Sequence, residues 1–496
     1  MRTQAAPGGT GGHPEKDAVG SIERHGINLI PDEDRHGTPR ELLWVWMGAN
    51  MVFVYIITGA VLTSLGLSFW QSIAAVLVGS LLYVLVGLSG LPGPRAGTAT
   101  MVVSRASFGL RGNKAPTLLA WLSVVGWQAV YLVLASFALF ALVEEMGISV
   151  TDPVKAALLA GVVLVTYAVA VLGHATIVFL QKLFTYALGA LMLGVLIQVI
   201  PDAKFGFSGG ELAGDTSLAT FILGVMLVGA LPLSYVNYGA DYTRYLPRNV
   251  DLRETALWPI VGSVIPSVAI MVIGVMAATA GDLTDPIGGL KPLLASWYYV
   301  PFLIVVIGGC ITNNFLNTYT SGLTLQALGV RLARYKTVVI DGVIASGAAV
   351  YAIFYHDFIS TFIEFLSLMI IWIAPWFAIY LVDLWLHRSS YHGEELLRER
   401  GGRYWFSGGF NWPALAAWFL GMGAAFMLTN STRWQSPLST DVLGGADLSI
   451  PAGMIVAAGI YYAIRRGARD EGAEPVAAGP GGDAATEAVY AQPQAP

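Results

Sequence analysis

Apolar runs of about 20 residues, the length needed to cross a hydrocarbon core, recur along almost the whole chain. Twelve can be read, near residues 42–66, 69–91, 115–143, 153–173, 176–200, 217–238, 255–280, 299–329, 335–354, 358–386, 412–430 and 449–465. They are numbered segments 1 to 12 below. Of the 496 residues, 55% are hydrophobic and 12% charged, and mean hydropathy is +0.64, more apolar surface than a water-soluble fold can hide. The pattern predicts an all-α integral membrane protein with twelve transmembrane helices.

Residues 1–40 hold Gly, Pro and charges but no short apolar core of a cleavable signal, so segment 1 itself is expected to direct insertion. After Arg469 the chain turns to Ala, Gly, Pro and acidic residues without a period, a composition that cannot bury enough apolar area to order itself. The division expected is a partly disordered cytoplasmic segment (1–40), a twelve-helix membrane domain (41–466) and a disordered cytoplasmic tail (467–496). Lys and Arg are retained on the cytoplasmic side of a membrane. With the N-terminus inside, all of the 27 Lys and Arg but Lys155, Lys204, Lys291 and Arg433 fall on that side. An even number of crossings follows, in a multi-pass protein of the cell (inner) membrane with both termini cytoplasmic.

The net charge of −5 comes with no basic face for nucleic acid. A single cysteine, Cys310, excludes an intramolecular disulfide or a Cys-based metal cluster and reads as a small buried residue. No His/Glu spacing suits a metalloprotease and no Gly-rich loop suits a nucleotide phosphate, so neither an enzyme nor a cofactor is expected. A membrane receptor that senses substrate, or a membrane enzyme, needs a soluble signalling or catalytic part, and the longest cytoplasmic loop, about 387–411, is too short. No obligatory protein partner is evident.

An unsatisfied polar group in lipid costs several kcal/mol, so polar residues inside apolar runs must face protein, water or a ligand. Segments 2, 4 and 7 read as nearly bare of them, whereas segments 1, 3, 6 and 8 concentrate them and are expected to surround a cavity. Gly48 and Asn50 interrupt segment 1 in LLWVWMGANMVFVYIITG. Gly229, Pro232, Ser234 and Asn237 cluster in segment 6, where an interior Pro removes a helical hydrogen bond. A break is expected in both, the more so in segment 6.

Segments 1 and 6 take equivalent places if 1–5 (residues 41–200) and 6–10 (217–386) are two halves, inverted because five is odd. Segments 11 and 12 (412–466) are then accessory. Gly/Pro-interrupted helices at matching places of inverted halves point to a midplane site in a secondary transporter.

Segment 8 carries the densest polar group, in GGCITNNFLNTYTSGL. Asn313 and Asn317 lie four apart on one helix face, with Asn314 three before Asn317. An amide offers a donor and an acceptor in one plane, which matches the edge of a pyrimidine or purine. Trp127, Gln128 and Tyr131 in segment 3 and Tyr235 in segment 6 add flat rings, and a base held between Trp127 and Tyr235 would present its edge to the amides.

Four motifs coincide in order: WVWMGAN, GPRAGT with SRASFG, SYVNYGADYTRYLP and TNNFLNTY. With SIERHGINLIPDEDRHGTPRELLW before them, the chain resembles the nucleobase:cation symporter-1 family, purine/cytosine permease branch, over residues 21–466. The resemblance implies a leucine-transporter-like 5+5 inverted-repeat core with substrate between segments 1, 3, 6 and 8. It implies a neutral nucleobase, cytosine ahead of purines, imported with a cation by alternating access. Uracil, hydantoin and allantoin are the alternatives. Trp127 resembles the stacking residue, and Tyr131 stands where the family often has an amide. Ser234 and Tyr235 resemble a Ser-Trp pair with Tyr for Trp, and Asn313, Asn314 and Asn317 resemble the substrate amides.

For Na+ the resemblance implies carbonyls of Trp46 and Ala49 with oxygens near Gly308, Ile311 and Thr312. Hard cations need several oxygen ligands, and Ile311 has no side-chain oxygen. Sodium stays slightly ahead of H+, with Thr312 completing the shell. For H+, Asp241 and Glu364 are the carboxylates considered, and Asn50 joins them as a gating candidate.

Overall fold

In the computed structural model, which describes residues 26–170, 174–210, 217–330, 332 and 334–470, every apolar segment is helical. Segment 1 is two helices, Leu42–Asn50 and Val54–Ser64, and segment 2 is Phe69–Ser80 and Tyr83–Ser89. Segments 3, 4 and 5 are Lys114–Glu145, Asp152–Ala170 and His174–Val199. Segment 6 is Ser217–Tyr235 and Gly239–Thr243, and segments 7 and 8 are Leu252–Ala280 and Ser296–Leu328. Segments 9 to 12 are Arg334–Phe354, Phe358–Leu386, Trp412–Phe426 and Ser449–Asp470. Residues 1–25 and 471–496 of the expected terminal segments lie outside the described residues. Residues 467–470, expected in the tail, continue the last helix.

Among the described residues eight helices are long and apolar enough to cross a membrane, nine with the bent pair of segment 1 taken as one. Segments 4, 11 and 12 fall short of that measure. The described helix of segment 4 stops at Ala170, segment 11 has 15 residues, and segment 12 ends on Arg465, Arg466, Arg469 and Asp470.

Segment 1 bends by 57° between its two helices. The break expected within the cluster Gly229, Pro232, Ser234 and Asn237 of segment 6 falls at the end of that cluster, the helix running through Pro232 to Tyr235. The segment tightens only at residues 236–238, where Tyr238 N bonds Tyr235 O (3.0 Å) and Asp241 N bonds Tyr238 O (3.0 Å). These i→i+3 bonds keep the backbone paired, so the sharper break belongs to segment 1.

Segment 1 lies along segment 7, and segment 6 along segment 2. Segments 3 and 8 also pack along much of their length, and further pairings are 1 with 5, 6 with 10, 3 with 9 and 8 with 4. Close approach of segments 1 and 7 needs glycine. A β-carbon on Gly274 would collide with the Ile56 carbonyl, and one on Gly59 with that of Met271. Segments 11 and 12 pack on each other and on segment 10.

Residues 26–36 form a strap across the end of the helix packing where segment 1 starts. Gly26 O accepts from the buried Arg244 guanidinium, and Ile27 N donates to Gln326 Oε1 (3.0 Å). Ile30 N bonds Gly97 O (3.0 Å), Arg35 reaches Pro94 O, and His36 N bonds Tyr245 O (2.8 Å). The strap thereby ties segments 6 and 8 to the GPRAGT turn, whose Gly97 is left-handed (φ 65°).

Candidate functional site

A broken helix strands carbonyls, and in an apolar surround each must find another donor. At the break in segment 1, Ala49 O accepts from Asn313 Nδ2 (2.7 Å) and from the Tyr235 hydroxyl (3.0 Å). Trp46 O accepts from Asn50 Nδ2 (2.9 Å). Candidate residues of segments 1, 6 and 8 thus meet at one turn. Tyr131 of segment 3 joins them, its hydroxyl lying beside that of Tyr235.

The amides continue as a chain. Asn317 Oδ1 accepts from the Tyr238 hydroxyl (3.0 Å), Asn317 Nδ2 reaches Asn314 Oδ1 (3.4 Å), and Asn314 Nδ2 donates to Gln128 O in segment 3 (3.2 Å). All three asparagines are at most 3% exposed. Trp127 Nε1, Trp46 Nε1 and Asn237 Oδ1 are buried there without a hydrogen-bond partner. Buried polar atoms are rarely left so.

Several expectations are not met. No ring contact joins Trp127 to Tyr235. Trp127 meets Tyr131 (5.9 Å between centroids) and the edges of Phe362 (6.0 Å) and Phe365 (5.6 Å) on segment 10. Tyr235 instead meets Trp46 edge-on (5.6 Å) and Tyr238 (5.6 Å). Ser234 turns back on its own helix, bonding Leu231 O (2.6 Å). The cavity bounded by Trp46, Ala49, Tyr235, Tyr238, Tyr242 and Leu316 holds about 10 Å³, room for about one water. A planar heterocycle needs these rings to part.

Asn50 is fully engaged. Besides Trp46 O it donates to Ser263 Oγ (3.2 Å), and its Oδ1 accepts from Tyr55 (2.5 Å) and Tyr83 (2.9 Å). Tyr83 and Ser263 belong to segments 2 and 7, and Tyr167 of segment 4 bonds Gln128 Oε1 (2.7 Å). These three segments are therefore not bare of polar partners. A tyrosine ring reads as apolar in a sequence while its hydroxyl bonds like a serine's.

Of the oxygens considered for a cation, Ala49 O already accepts two hydrogen bonds, and Thr312 Oγ1 donates to Gly308 O (2.7 Å). Ile311 adds no side-chain oxygen. The donor set suits a sodium ion poorly unless Tyr235 or Asn313 lets go. Of the carboxylates considered, Asp241 accepts from Thr100 N (2.9 Å) and Oγ1 (3.0 Å), which ties segment 6 to the turn after segment 2. Glu364 is held by Arg433 (2.9 Å) and Thr432 (3.0 Å) at the end of segment 10. Two carboxylates inside apolar helices escaped the sequence reading, Asp341 and Asp383, both fully buried. Asp383 accepts from Tyr461 (2.7 Å) and Tyr391 (3.1 Å) beside His387 (3.3 Å).

Known proteins carry the same architecture. A Bacillus subtilis (strain 168) protein that bears the name of a purine-cytosine permease is 27% identical over 90% of this chain and 96% of its own length. The purine-cytosine permease fcyB of Emericella nidulans is 26% identical over 90% of this chain and 88% of its own. The solved nucleobase-cation-symport-1 family transporter Mhp1, closed with bromovinylhydantoin bound, superposes with TM-score 0.73 over 91% of this chain and 96% of its own, at 20% identity, a likeness of fold. A family model described as permease for cytosine/purines, uracil, thiamine, allantoin matches residues 29–450. With the broken first segment and the amide chain of segment 8 in place, this chain belongs to the nucleobase-cation-symport-1 family of permeases.

Proposed function

We propose that the chain is a secondary active transporter that imports a neutral nucleobase, cytosine first and purines next, together with a cation by alternating access. The observation that carries this reading is the meeting of Tyr235, Asn313 and the Ala49 carbonyl at the break of segment 1. Donors that satisfy a stranded carbonyl at rest can turn to the edge of a base once the rings of Trp46 and Tyr235 part. Asn314 and Asn317 then supply further in-plane donors and acceptors, and Trp127, whose indole N–H has no partner, a face and a donor.

The core is read as two inverted halves. The packing supports this: shifting each segment by five turns the pairing of 1 with 7 into that of 6 with 2. It likewise turns 1 with 5 into 6 with 10, and 3 with 9 into 8 with 4. The twelve segments are read as twelve crossings of the cell membrane with cytoplasmic termini, in keeping with the side preference of Lys and Arg. For the cation, Na+ or H+, the occupied Ala49 carbonyl and the bare Ile311 side chain favour H+.

Uptake into proteoliposomes tests the substrate. Labelled cytosine is expected to accumulate, with hypoxanthine, adenine and guanine as the better competitors and uracil, hydantoin and allantoin as the weaker. Asn317→Ala, which strips the amide and leaves Tyr238 without its acceptor, is expected to reach the membrane yet abolish uptake. Competition by hydantoin or allantoin ahead of every nucleobase overturns the substrate, and near-normal uptake by Asn317→Ala overturns the site.

A further inference from the structure

Of the carboxylates Asp241, Asp341, Glu364 and Asp383, three have charged company. Glu364 pairs with Arg433, Asp383 with His387, and Asp241 takes two hydrogen bonds from Thr100 with the Arg244 guanidinium close by. Asp341, in segment 9, does not. Its side chain is 0% exposed, and its Oδ1 accepts a hydrogen bond from the neutral Trp121 indole N–H of segment 3 (2.9 Å). Gln128 of segment 3 and Ser321 of segment 8 lie against it. Yet Asp341 Oδ2, Gln128 Nε2 and Ser321 Oγ are all buried without a hydrogen bond of normal geometry. Three polar side chains from three helices thus face one another with bonds left to make.

The surroundings contain no basic group among the described residues. Segments 3 and 8 bring Trp121, Gln128 and Ser321, none of which titrates, and segment 4 brings Tyr167, whose hydroxyl is committed to Gln128 Oε1 (2.7 Å). Of the two carboxylates of segment 10, Glu364 is held by Arg433 and Asp383 by His387, Tyr391 and Tyr461. Lys336 on segment 9 itself is exposed. A carboxylate kept ionised among neutral groups in an apolar interior is costly, and an ionisable group inside a membrane marks an ion or proton path more often than a structural anchor.

We propose that Asp341 is the group that carries the coupled proton, an inference that rests on the reading of this chain as a cation-coupled nucleobase symporter. The step is a plain protonation. Oδ2 takes a proton from water on the side to which it is exposed, the charge disappears, and the new O–H donates to Gln128 Oε1 or Ser321 Oγ. Loss of the proton reverses this. The event reaches the base through one residue, since the backbone carbonyl of Gln128 holds Asn314 Nδ2 (3.2 Å). Protonation draws segments 3, 8 and 9 together around Asp341 and so fixes the amide that faces substrate. The geometry gives this role to neither Asp241, whose Oδ1 already accepts two hydrogen bonds from Thr100, nor Glu364, which is paired with Arg433.

The test uses the full-length protein in proteoliposomes with Asp341→Asn and Asp341→Glu. Asp341→Asn mimics the protonated acid, so base exchange at equal pH is expected to persist while accumulation driven by a pH gradient falls by about tenfold or more. Asp341→Glu should keep accumulation with a displaced pH profile. A folded Asp341→Asn protein that accumulates base with wild-type pH dependence overturns the proposal, as does one that loses exchange and accumulation alike. Infrared difference spectra between acid and alkaline samples give a readout free of substrate: wild type should show a protonated carboxylic acid band that Asp341→Asn lacks. If wild type moves no base, the substrate reading fails, and this band still decides the fate of Asp341, its presence in both proteins overturning the assignment.

Discussion

The hydroxyl of Tyr235 and the backbone carbonyl of Ala49, 186 residues apart in the chain, are joined by a hydrogen bond of 3.0 Å across the break in segment 1. Tyr235→Phe keeps the ring and deletes that donor, while Asn313 still serves the carbonyl. A net hydrogen bond is worth about 1 kcal/mol, which is about fivefold in an equilibrium constant. Apparent affinity for the base is expected to change by about that factor, with normal membrane insertion. Uptake indistinguishable from wild type shows the bond to be idle.

Trp127 leans on the edges of Phe362 and Phe365, so two roles compete for it, packing and base stacking. Trp127→Phe retains a flat face, and Trp127→Ala retains none. Binding of aromatic bases, followed by thermal shift, should be weakened strongly by Ala and partly by Phe, because stacking contributes about 0.5–1.5 kcal/mol beyond burial. Equal losses with a lowered melting temperature assign the residue to packing.

Thr312→Val separates the cations. The substitution keeps shape and removes the hydroxyl that bonds Gly308 O at 2.7 Å. With proton coupling, transport should keep its wild-type response to sodium and to pH. A several-fold rise in the sodium needed for half-maximal uptake means that Thr312 binds the ion, since ion and base must tighten one another equally.

Segments 1 and 7 meet backbone to backbone at Gly274 and Ile56. Gly274→Val forces them apart and is expected to cost about 1–3 kcal/mol, as overpacking does, with a lower melting temperature in detergent. Gly459 of segment 12 has open space where a β-carbon would go, so Gly459→Ala should leave that temperature unchanged or raised. Parallel losses at both glycines contradict the close approach.

The positions of the helical segments were legible because lipid admits few ways to satisfy a backbone, and hydrophobic length alone reports them. The break in segment 1 was legible from Gly48 and Asn50. What escaped was set by partners far away in sequence. Pro232 reads as a breaker, but its neighbours hold the helix through it. Besides Tyr131, Trp127 meets two rings of segment 10, outside the four segments that the polar map selected. The bonds of Asn50, a gating candidate, come from Tyr55, Tyr83, Ser263 and Trp46, a set that no sequence spacing announces. Asp341 lies two turns into its helix, where a carboxylate reads as an interface residue. The arrival of Trp121, 220 residues away, together with Gln128 and Ser321, marks it as buried.

Residues 26 and 27 are bonded to groups that lie 218 and 299 residues further along the chain. Synthesis runs from the N-terminus, so the strap leaves the ribosome long before either partner exists, and its polar groups must stay hydrated through the insertion of most of the membrane helices. Closing so long a loop costs little more entropy than closing one of half the length, but the contact stays out of reach until segment 8 is in place. Seating of the first described residues is therefore among the last steps of biogenesis, and a nascent chain arrested before Gln326 still carries them undocked.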